Sequence, residues 1–229
     1  MTVKDKQCLI KTHDISKNIF NYSEEIKLFK NINFEIYDGD TISIEGSSGA
    51  GKTTLLKIIS GIEKPTDGDV FIFGQNISTI NEKKLSTIRR KFFSFIFQDF
   101  LLIPTLNAIE NLYVPLFINN INNYKKQAFK ALEQVGLSHR SHHYPKQLSG
   151  GEQQRLSIAR SFMNQPKIIF ADEPTGNLDK KNSENITRLL FDMCETYNTS
   201  LVIVTHDKSL SSLCKRQFLL DQFTLKLRF

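Results

Sequence analysis

The stretch Thr41-Ile-Ser-Ile-Glu45-Gly-Ser-Ser-Gly-Ala-Gly-Lys-Thr53 decides how this chain folds. Its first five residues form a short, mostly apolar run that predicts a strand. Glycine and serine residues follow, and a helical pattern then begins at Lys52, with Gly61 placed to end the helix. A strand, a glycine-rich loop and a helix in this order are typical of proteins in which helices cover a parallel sheet.

Short apolar runs alternate with helical patterns on both sides of this stretch. Residues 31–37 alternate between apolar and polar side chains and end at the turn Asp38-Gly39. Compact apolar runs that predict further strands lie at residues 70–73, 168–171 and 201–204. Helical patterns occupy residues 124–135, 151–163 and 183–197. Unbroken apolar runs that alternate with helices predict an α/β fold whose parallel sheet is covered on both faces.

The composition is that of a folded protein. Of 229 residues, 40% are apolar and 24% are charged, which is enough for one sizeable core and too apolar for a disordered chain. The longest apolar runs are far shorter than the roughly 18 residues of a transmembrane helix, and no apolar signal sequence follows Met1. We therefore expect a single domain over residues 1–229 that stays where it is made, and three scattered cysteines favour a reducing cytosol.

The net charge of +6 comes from 30 basic and 24 acidic residues. The basic residues are dispersed along the chain, and their densest run lies at residues 83–91. A solvated basic face explains this distribution, and attraction to anionic lipid or nucleic acid is the alternative.

Residues 46–53 match the pattern of a phosphate-binding loop. In such a loop the backbone N–H groups point at the phosphates, and the helix N-terminus adds positive potential. Lys52 would reach the β- and γ-phosphates, and the hydroxyl of Thr53 would bind Mg²⁺. An ordinary turn before a helix is the alternative. The predicted nucleotide-binding residues of this loop are Gly46, Ser47, Ser48, Gly49, Ala50, Gly51, Lys52, Thr53 and Thr54.

Two adjacent carboxylates, Asp172 and Glu173, follow the apolar run at residues 168–171. Ligands of a parallel sheet bind at the C-terminal ends of its strands, where these side chains are expected. We predict that Asp172 holds Mg²⁺ and that Glu173 polarises the attacking water, with a plain Asp-Glu-Pro turn as the alternative.

Two further polar residues end apolar runs. Gln98 follows residues 92–97 and could contact metal or water, and His206 follows residues 201–204. Taken alone, a glutamine at the surface and a structural histidine are the more common situations.

A second anion site is predicted in Leu148-Ser-Gly-Gly-Glu-Gln-Gln-Arg155. Ser149, Gly150 and Gly151 open a helix there, and its N–H groups and the serine hydroxyl can bind phosphate. A flexible turn is the alternative. One chain thus holds two half-sites for a triphosphate, so the economical arrangement is a head-to-tail pair of chains in which each completes the other's site.

These motifs together resemble the ATP-binding subunit of an ABC transporter over nearly the whole chain. The family's motifs are matched in order by residues 46–53 (Walker A), Gln98 (Q-loop), residues 148–155 (signature), residues 168–173 (Walker B), residues 177–179 (D-loop) and His206 (H-loop).

The resemblance implies a phosphate-loop NTPase with a RecA-like parallel-sheet core and an N-terminal antiparallel β subdomain. A helical signature subdomain would be inserted at about residues 99–165. The implied cofactors are ATP and Mg²⁺. The implied catalytic residues are Glu173, His206 and Gln98, and the implied metal ligands are Thr53, Gln98 and Asp172.

Finer matches point to the MacB/LolD-type branch of the family. They are Arg89-Arg90, Phe95-Ile-Phe-Gln98, residues 102–111 and Pro115-Leu116. Residues 102–111, 170–179 and 201–207 look most like the relative YbbA.

This branch implies a peripheral ATPase on the cytoplasmic face of the inner (cell) membrane. It would form a homodimer upon ATP binding and drive separate integral membrane permease subunits in lipoprotein, lipid or drug extrusion. An FtsE-like ATPase that regulates cell-envelope remodelling is the alternative. A role on nucleic acid is not expected, because ABC proteins of translation carry two cassettes per chain and those of DNA repair carry a long coiled coil.

The sequence departs from the family in two places. Ile19 stands where an aromatic residue usually stacks on adenine, so Phe20 or Tyr22 is expected to replace it. After His206 the family commonly has a strand–Asp-Gly–strand hairpin, but residues 218–225 lack the glycine.

The apolar residues 100–104 follow Gln98 directly. We expect the permease to dock around them, with ordinary core packing as the alternative.

Overall fold

The computed structural model describes residues 6–21 and 24–228, without the side chains of Phe20, Asn21 and Glu24. The strands are β1 (Cys8–Asn21), β2 (Glu24–Tyr37), β3 (Thr41–Glu45), β4 (Asp67–Ile72), β5 (Gln75–Asn76), β6 (Phe93–Phe97), β7 (Ile168–Asp172), β8 (Ser200–Val204), β9 (Arg216–Asp221) and β10 (Thr224–Leu227). The helices are α1 (Lys52–Ile59), α2 (Glu82–Phe92), α3 (Ala108–Ile118), α4 (Tyr124–Gln134), α5 (Gly150–Phe162), α6 (Lys180–Thr196) and α7 (Lys208–Ser211).

These elements form two compact units. The first unit contains the described residues up to Arg89 and those from Ser200 onward, and the second unit contains residues from Arg90 to Thr199. Residues 99–165, the expected helical insertion, all belong to the second unit.

The first unit contains an antiparallel sheet with the strand order β2-β1-β4-β5. It confirms the predicted N-terminal β subdomain, and the predicted strand at residues 31–37 is the second half of β2. Apolar side chains of β1 and β2, such as Ile10, Phe29 and Ile36, are fully buried. Burial of these apolar side chains stabilises the sheet.

The first unit also contains the strand order β10-β9-β3-β8. Strand β3 runs parallel to both β8 and β9, and each residue of β8 is buried. This arrangement agrees with the predicted parallel sheet, because a strand covered on both faces needs an unbroken apolar run.

The C-terminal strands β9 and β10 form an antiparallel hairpin although the glycine is missing. Asp221 pairs with Thr224, so the loop has only two residues, Gln222 and Phe223. Their φ angles are 45° and 65°. Both lie in the left-handed region that a tight type I′ turn requires and that glycine or asparagine adopts more easily.

The second unit is built around α5, which packs against α3, α4, α6 and β6. The predicted buried side of this helix is confirmed, since Leu156, Ile158, Ala159 and Phe162 are all buried. Strands β6 and β7 pair in parallel, and the ring of Phe170 contacts those of Phe93 and Phe95. This packing holds the two strands side by side.

Candidate active site

The phosphate-binding loop leads from β3 into α1 in the first unit. Gly49 and Gly51 have φ angles of 79° and 92°, which are left-handed conformations that favour glycine. Gly51 is the N-cap of α1, and it has no side chain to cap the first turn. The first N–H groups of a helix have no partner within it, so this helix start can offer them to an anion.

Lys52 holds the loop in shape. Its Nζ donates hydrogen bonds to the carbonyl oxygens of Gly46 and Ser47, both at 3.0 Å. Gly46 must remain glycine, because a Cβ there would lie 2.6 Å from the carbonyl oxygen of Leu220 in β9. Thr53, an exposed residue, stands one residue further along α1.

His206 leaves the same edge of the sheet as this loop. Ile44 of β3 pairs in parallel with Val204 of β8, so the residues after both strands lie at neighbouring strand ends. The side chain of His206 is exposed. The first unit therefore brings the phosphate-binding loop and His206 to one edge.

Asp207 orders the chain directly after His206. Its carboxylate accepts hydrogen bonds from the backbone N–H groups of Ser209 and Leu210 and caps α7. Burial disfavours the ionised form of this carboxyl. The hydrogen bonds from Ser209 and Leu210, together with electrostatic attraction to the neighbouring His206, outweigh this effect. The pKa of Asp207 therefore lies below its ordinary value.

The second unit brings Gln98, Asp172 and Glu173 to one sheet edge. Phe97, the last residue of β6, pairs in parallel with Asp172, the last residue of β7. Gln98 follows the first strand and Glu173 the second. Asp172 and Glu173 are half-buried, and Glu173 has a left-handed φ of 46°, so the chain turns sharply at the second carboxylate.

The side chain of Gln98 is held by Asn177 in the D-loop. Gln98 Nε2 donates to Asn177 Oδ1 at 2.8 Å, and Asn177 Nδ2 donates back to the carbonyl oxygen of Gln98 at 3.1 Å. A Cβ on Gly176 would lie 3.0 Å from Gln98 Nε2. Because the amide nitrogen only donates hydrogen bonds, Oε1 is the atom that Gln98 can offer to a cation.

The signature segment starts α5 with a capping box. Ser149 Oγ accepts from the N–H of Glu152, and Ser149 N–H donates to Glu152 Oε2 at 2.8 Å. The same carboxylate accepts from Arg140 Nε at 3.1 Å. The hydrogen bond from the Ser149 backbone, with help from Arg140, lowers the pKa of Glu152. The capping box engages the N–H of Ser149, so Gly150 and Gly151 remain as the predicted N–H donors for an anion.

Sequence reasoning missed the side chain that joins α5 to the Walker B loop. Gln154 is fully buried, and its Nε2 donates to the carbonyl oxygen of Pro174, which follows Glu173. Its position inside the signature segment was the only signal, since glutamine on a helix is ordinarily solvated.

The adenine contact is the least described part of the site. Ile19 lies in β1 with 40% of its surface exposed. The side chain of Phe20 and all of Tyr22 lie outside the described residues.

A family model described as "ABC transporter" matches residues 29–176. The chain belongs to the ABC transporter family. It is 44% identical to the lipoprotein-releasing system ATP-binding protein LolD of Cytophaga hutchinsonii over 206 residues, covering 89% of this chain and 94% of that protein. It is 39% identical to the uncharacterized ABC transporter ATP-binding protein YbbA of Escherichia coli K12, covering 91% of this chain and 92% of YbbA.

Solved structures of ABC cassettes have the same fold. A dimeric structure of the bacterial ABC transporter cassette MJ0796 matches with a TM-score of 0.87 and 38% identity, covering 95% of this chain and 97% of that one. A post-hydrolysis dimer of the same cassette, bound to ADP and Pi, matches with a TM-score of 0.86 and 37% identity.

The ABC cassette fold and the LolD and YbbA resemblance predicted from the sequence are thereby confirmed. The chain is an ATP-binding and ATP-hydrolysing ABC subunit of the LolD/MacB type. Within residues 6–21 and 24–228, no helix combines the length and apolar character needed to cross a membrane.

Proposed function

We propose that this ABC ATPase uses Mg²⁺ and ATP to drive separate integral membrane permease subunits from the cytoplasmic face of the inner (cell) membrane. The observation that carries the proposal is the phosphate-binding loop, whose glycines leave the start of α1 without a side-chain cap. The transported material would be lipoprotein, lipid or drug. The name of the LolD relative, a lipoprotein-releasing system protein, supports this class.

Each site residue has a role that its chemistry supports. Lys52 would exchange its bonds to the loop carbonyls for the β- and γ-phosphates. Glu173 would accept a proton from the attacking water, and His206 and Gln98 would orient the water and the γ-phosphate. Phe20 would stack on adenine.

The donor set fits Mg²⁺. Thr53 of the first unit has a hydroxyl, and Asp172 and Gln98 of the second unit have a carboxylate and an amide oxygen. These are hard oxygen donors, the kind that Mg²⁺ prefers. The metal, when bound, would neutralise charge that develops on the phosphates.

The second half-site points to a homodimer. Ser149 and Gly150 are exposed at the start of α5, and their hydroxyl and N–H groups would bind the γ-phosphate held by the partner chain. The dimers of the MJ0796 cassette support this arrangement.

Residues 100–104 fit a docking surface for the permease. None of the five is buried, and Leu101 is 55% exposed, which argues against the alternative of ordinary core packing. The apolar side chains begin two residues after Gln98, so a partner seated on them would sense the state of that residue.

The proposal can be tested with the purified protein, first alone and then together with the membrane protein that co-purifies with it. We expect Mg²⁺-dependent ATP hydrolysis that Lys52→Ala abolishes, and a crosslink from a cysteine placed at position 101 to the membrane protein. A cysteine at exposed Leu213 in the first unit is the matched control. The absence of hydrolysis would refute the ATPase, whereas crosslinks from position 213 alone would refute the docking surface.

A further inference from the structure

The backbone just after Gln98 has an unusual conformation. Phe100 and Leu101 have φ angles of 57° and 46°, two successive left-handed residues that both carry large side chains. This conformation is unfavourable for residues with a Cβ and persists only where surrounding contacts hold it. We call residues 98–101 the Gln98 segment.

Arg160 supplies those contacts from the last turn of α5. Its Nη1 donates to the carbonyl oxygen of Leu101 at 2.6 Å, and its Nη2 donates to that of Phe100 at 2.9 Å. Burial lowers the pKa of the Arg160 guanidinium. Among the described residues no charged neighbour contributes to this shift, so the two carbonyl dipoles compensate for the lost hydration of the guanidinium.

The Gln98 segment also contacts the opposite end of α5. A Cβ on Gly150 would lie 3.9 Å from the tip of the Phe100 ring, so this ring stands beside the signature glycine. The segment therefore lies beside the first residue of this helix of 13 residues and is hydrogen-bonded to its last turn. A helix of this length is a stiff rod of about 20 Å.

The flanks of the segment are fixed independently. Asn177 binds Gln98 on one side. On the other side the buried Asn111 accepts from the N–H of Ile103 at 2.8 Å and donates to its carbonyl oxygen at 3.2 Å. When Gln98 shifts, the movement is therefore confined to the residues before Ile103, where Arg160 holds the carbonyls of Phe100 and Leu101.

We propose that Arg160 is a positioning residue that makes the Gln98 segment and α5 move together. A shift of Gln98 when nucleotide binds would pass through the carbonyls of Phe100 and Leu101 to Arg160, and along α5 to Ser149 and Gly150. The inference rests on the proposed function, in which Gln98 contacts the nucleotide of its own chain and Ser149 that of the partner. Arg160 would thereby couple the two sites of the dimer.

The first test is a double-mutant cycle on ATP hydrolysis. Arg160→Met keeps the apolar stem but removes both hydrogen bonds, and should lower kcat about tenfold while the KM for ATP changes less than twofold, because the phosphate-binding loop is untouched. In a Gln98→Ala background, Arg160→Met should cause no further loss, since the relay is already interrupted. Arg90→Met is the matched control, because Arg90 also donates to a carbonyl oxygen, that of Ile118, and it should leave kcat unchanged.

The second test follows the segment directly. The chain has no tryptophan, so Leu101→Trp introduces a single tryptophan at an exposed position of the segment, and its emission can be excited apart from that of the tyrosines. In the Glu173→Gln background, ATP should shift its emission, Arg160→Met should abolish the shift, and Arg160→Lys should restore part of it. A matched unfolding midpoint for these variants separates positioning from folding.

The outcomes distinguish the two proposals. A native chain that neither binds nor hydrolyses ATP would overturn the proposed function and this inference with it. Native hydrolysis combined with additive losses in the cycle, or an ATP-induced emission shift that survives Arg160→Met, would overturn the inference alone.

Discussion

Glu173 is the residue whose replacement separates nucleotide binding from hydrolysis. The glutamine of Glu173→Gln has about the size of glutamate and stands at the same left-handed backbone position, with φ at 46°. It cannot, however, accept the proton of the attacking water. We expect kcat to fall by about 10²–10⁴ while ATP binding stays close to native. Single-turnover hydrolysis and equilibrium binding of labelled ATP measure the two effects.

Two neighbouring variants serve as controls for this result. Asp172→Asn should weaken the metal–nucleotide complex as well as hydrolysis, because it alters a ligand of Mg²⁺. Lys52→Ala should lose ATP binding itself. Hydrolysis at the native rate in Glu173→Gln would show that another group acts as the base.

Asp207 makes the stability of the protein depend on pH. Its native pKa lies below the unfolded value of about 3.9, so the ionised form contributes stability above that value, and the contribution is lost as the pH falls through the native pKa. Asp207→Asn keeps a good N-cap but cannot ionise. We expect urea denaturation at pH 7 to give a higher free energy of unfolding for the unchanged protein than for Asp207→Asn. This difference should shrink toward pH 3. A difference that is constant with pH would contradict this explanation.

At the scale of single residues, the sequence predicted the side chains of recognised motifs better than the side chains that hold those motifs in place. Lys52, Asp172 and Glu173 stand at the strand and helix ends where their motifs placed them. Gln154 and Arg160 were not predicted. Arg160 and the carbonyls it binds are 59 and 60 residues apart in the chain, and no local pattern reports a contact that only tertiary packing creates.

The hairpin of β9 and β10 carries avoidable strain at the element scale. Gln222→Asn combined with Phe223→Gly would place residues at the turn that adopt left-handed backbone easily. We expect a gain of about 1 kcal/mol in the free energy of unfolding, after allowing for the larger unfolded-state freedom of glycine. Thermal unfolding should shift upward by about 3 °C.

Thr224→Gly is the matched control for this hairpin. Thr224 is the first residue of β10, and its hydroxyl donates to the carbonyl oxygen of Asp221 at 3.0 Å. Glycine at this position should destabilise the protein, because it removes that bond and adds freedom to a strand. A gain of stability there would show that glycine acts through something other than the left-handed turn.

Elements were predictable where one physical cue dominated. Strands β3, β7 and β8 were predicted within about one residue because their apolar runs are unbroken. Strand β1 was missed, since exposed residues such as Lys11 and His13 and several register shifts interrupt its pattern. Helix α3 was missed because it is apolar on most sides and contains Pro115, so it shows no amphipathic period.

At the scale of the whole molecule, the two half-sites predict association that depends on nucleotide. The isolated chain of 26.3 kDa should be monomeric or weakly associated, and ATP should double its mass in Glu173→Gln, which cannot turn the nucleotide over. Light scattering measures this directly. Lys52→Ala should stay monomeric, and a persistent Glu173→Gln monomer with ATP bound would argue against the shared site.

A pair of capping variants separates the role of Ser149 in binding the partner chain's nucleotide from its role in helix stability. Ser149→Ala and Asn107→Ala each remove a capping box, from α5 and α3 respectively, at a similar cost of about 1 kcal/mol. Only Ser149→Ala should weaken the ATP-bound dimer. Equal weakening by both variants would reduce the effect to loss of a helix cap.

The two hydrogen bonds from Lys52 to Gly46 and Ser47 have a consequence for the end of the reaction cycle. The loop carbonyls act as an internal competitor for the ammonium group, always present and never diluted. An incoming nucleotide must displace these carbonyls from Lys52. After the γ-phosphate has been cleaved and has left, the diphosphate binds Lys52 more weakly, so the carbonyls can bind the ammonium group again. The resting form of the loop thus favours discharge of the spent nucleotide, and product inhibition by ADP should be correspondingly mild.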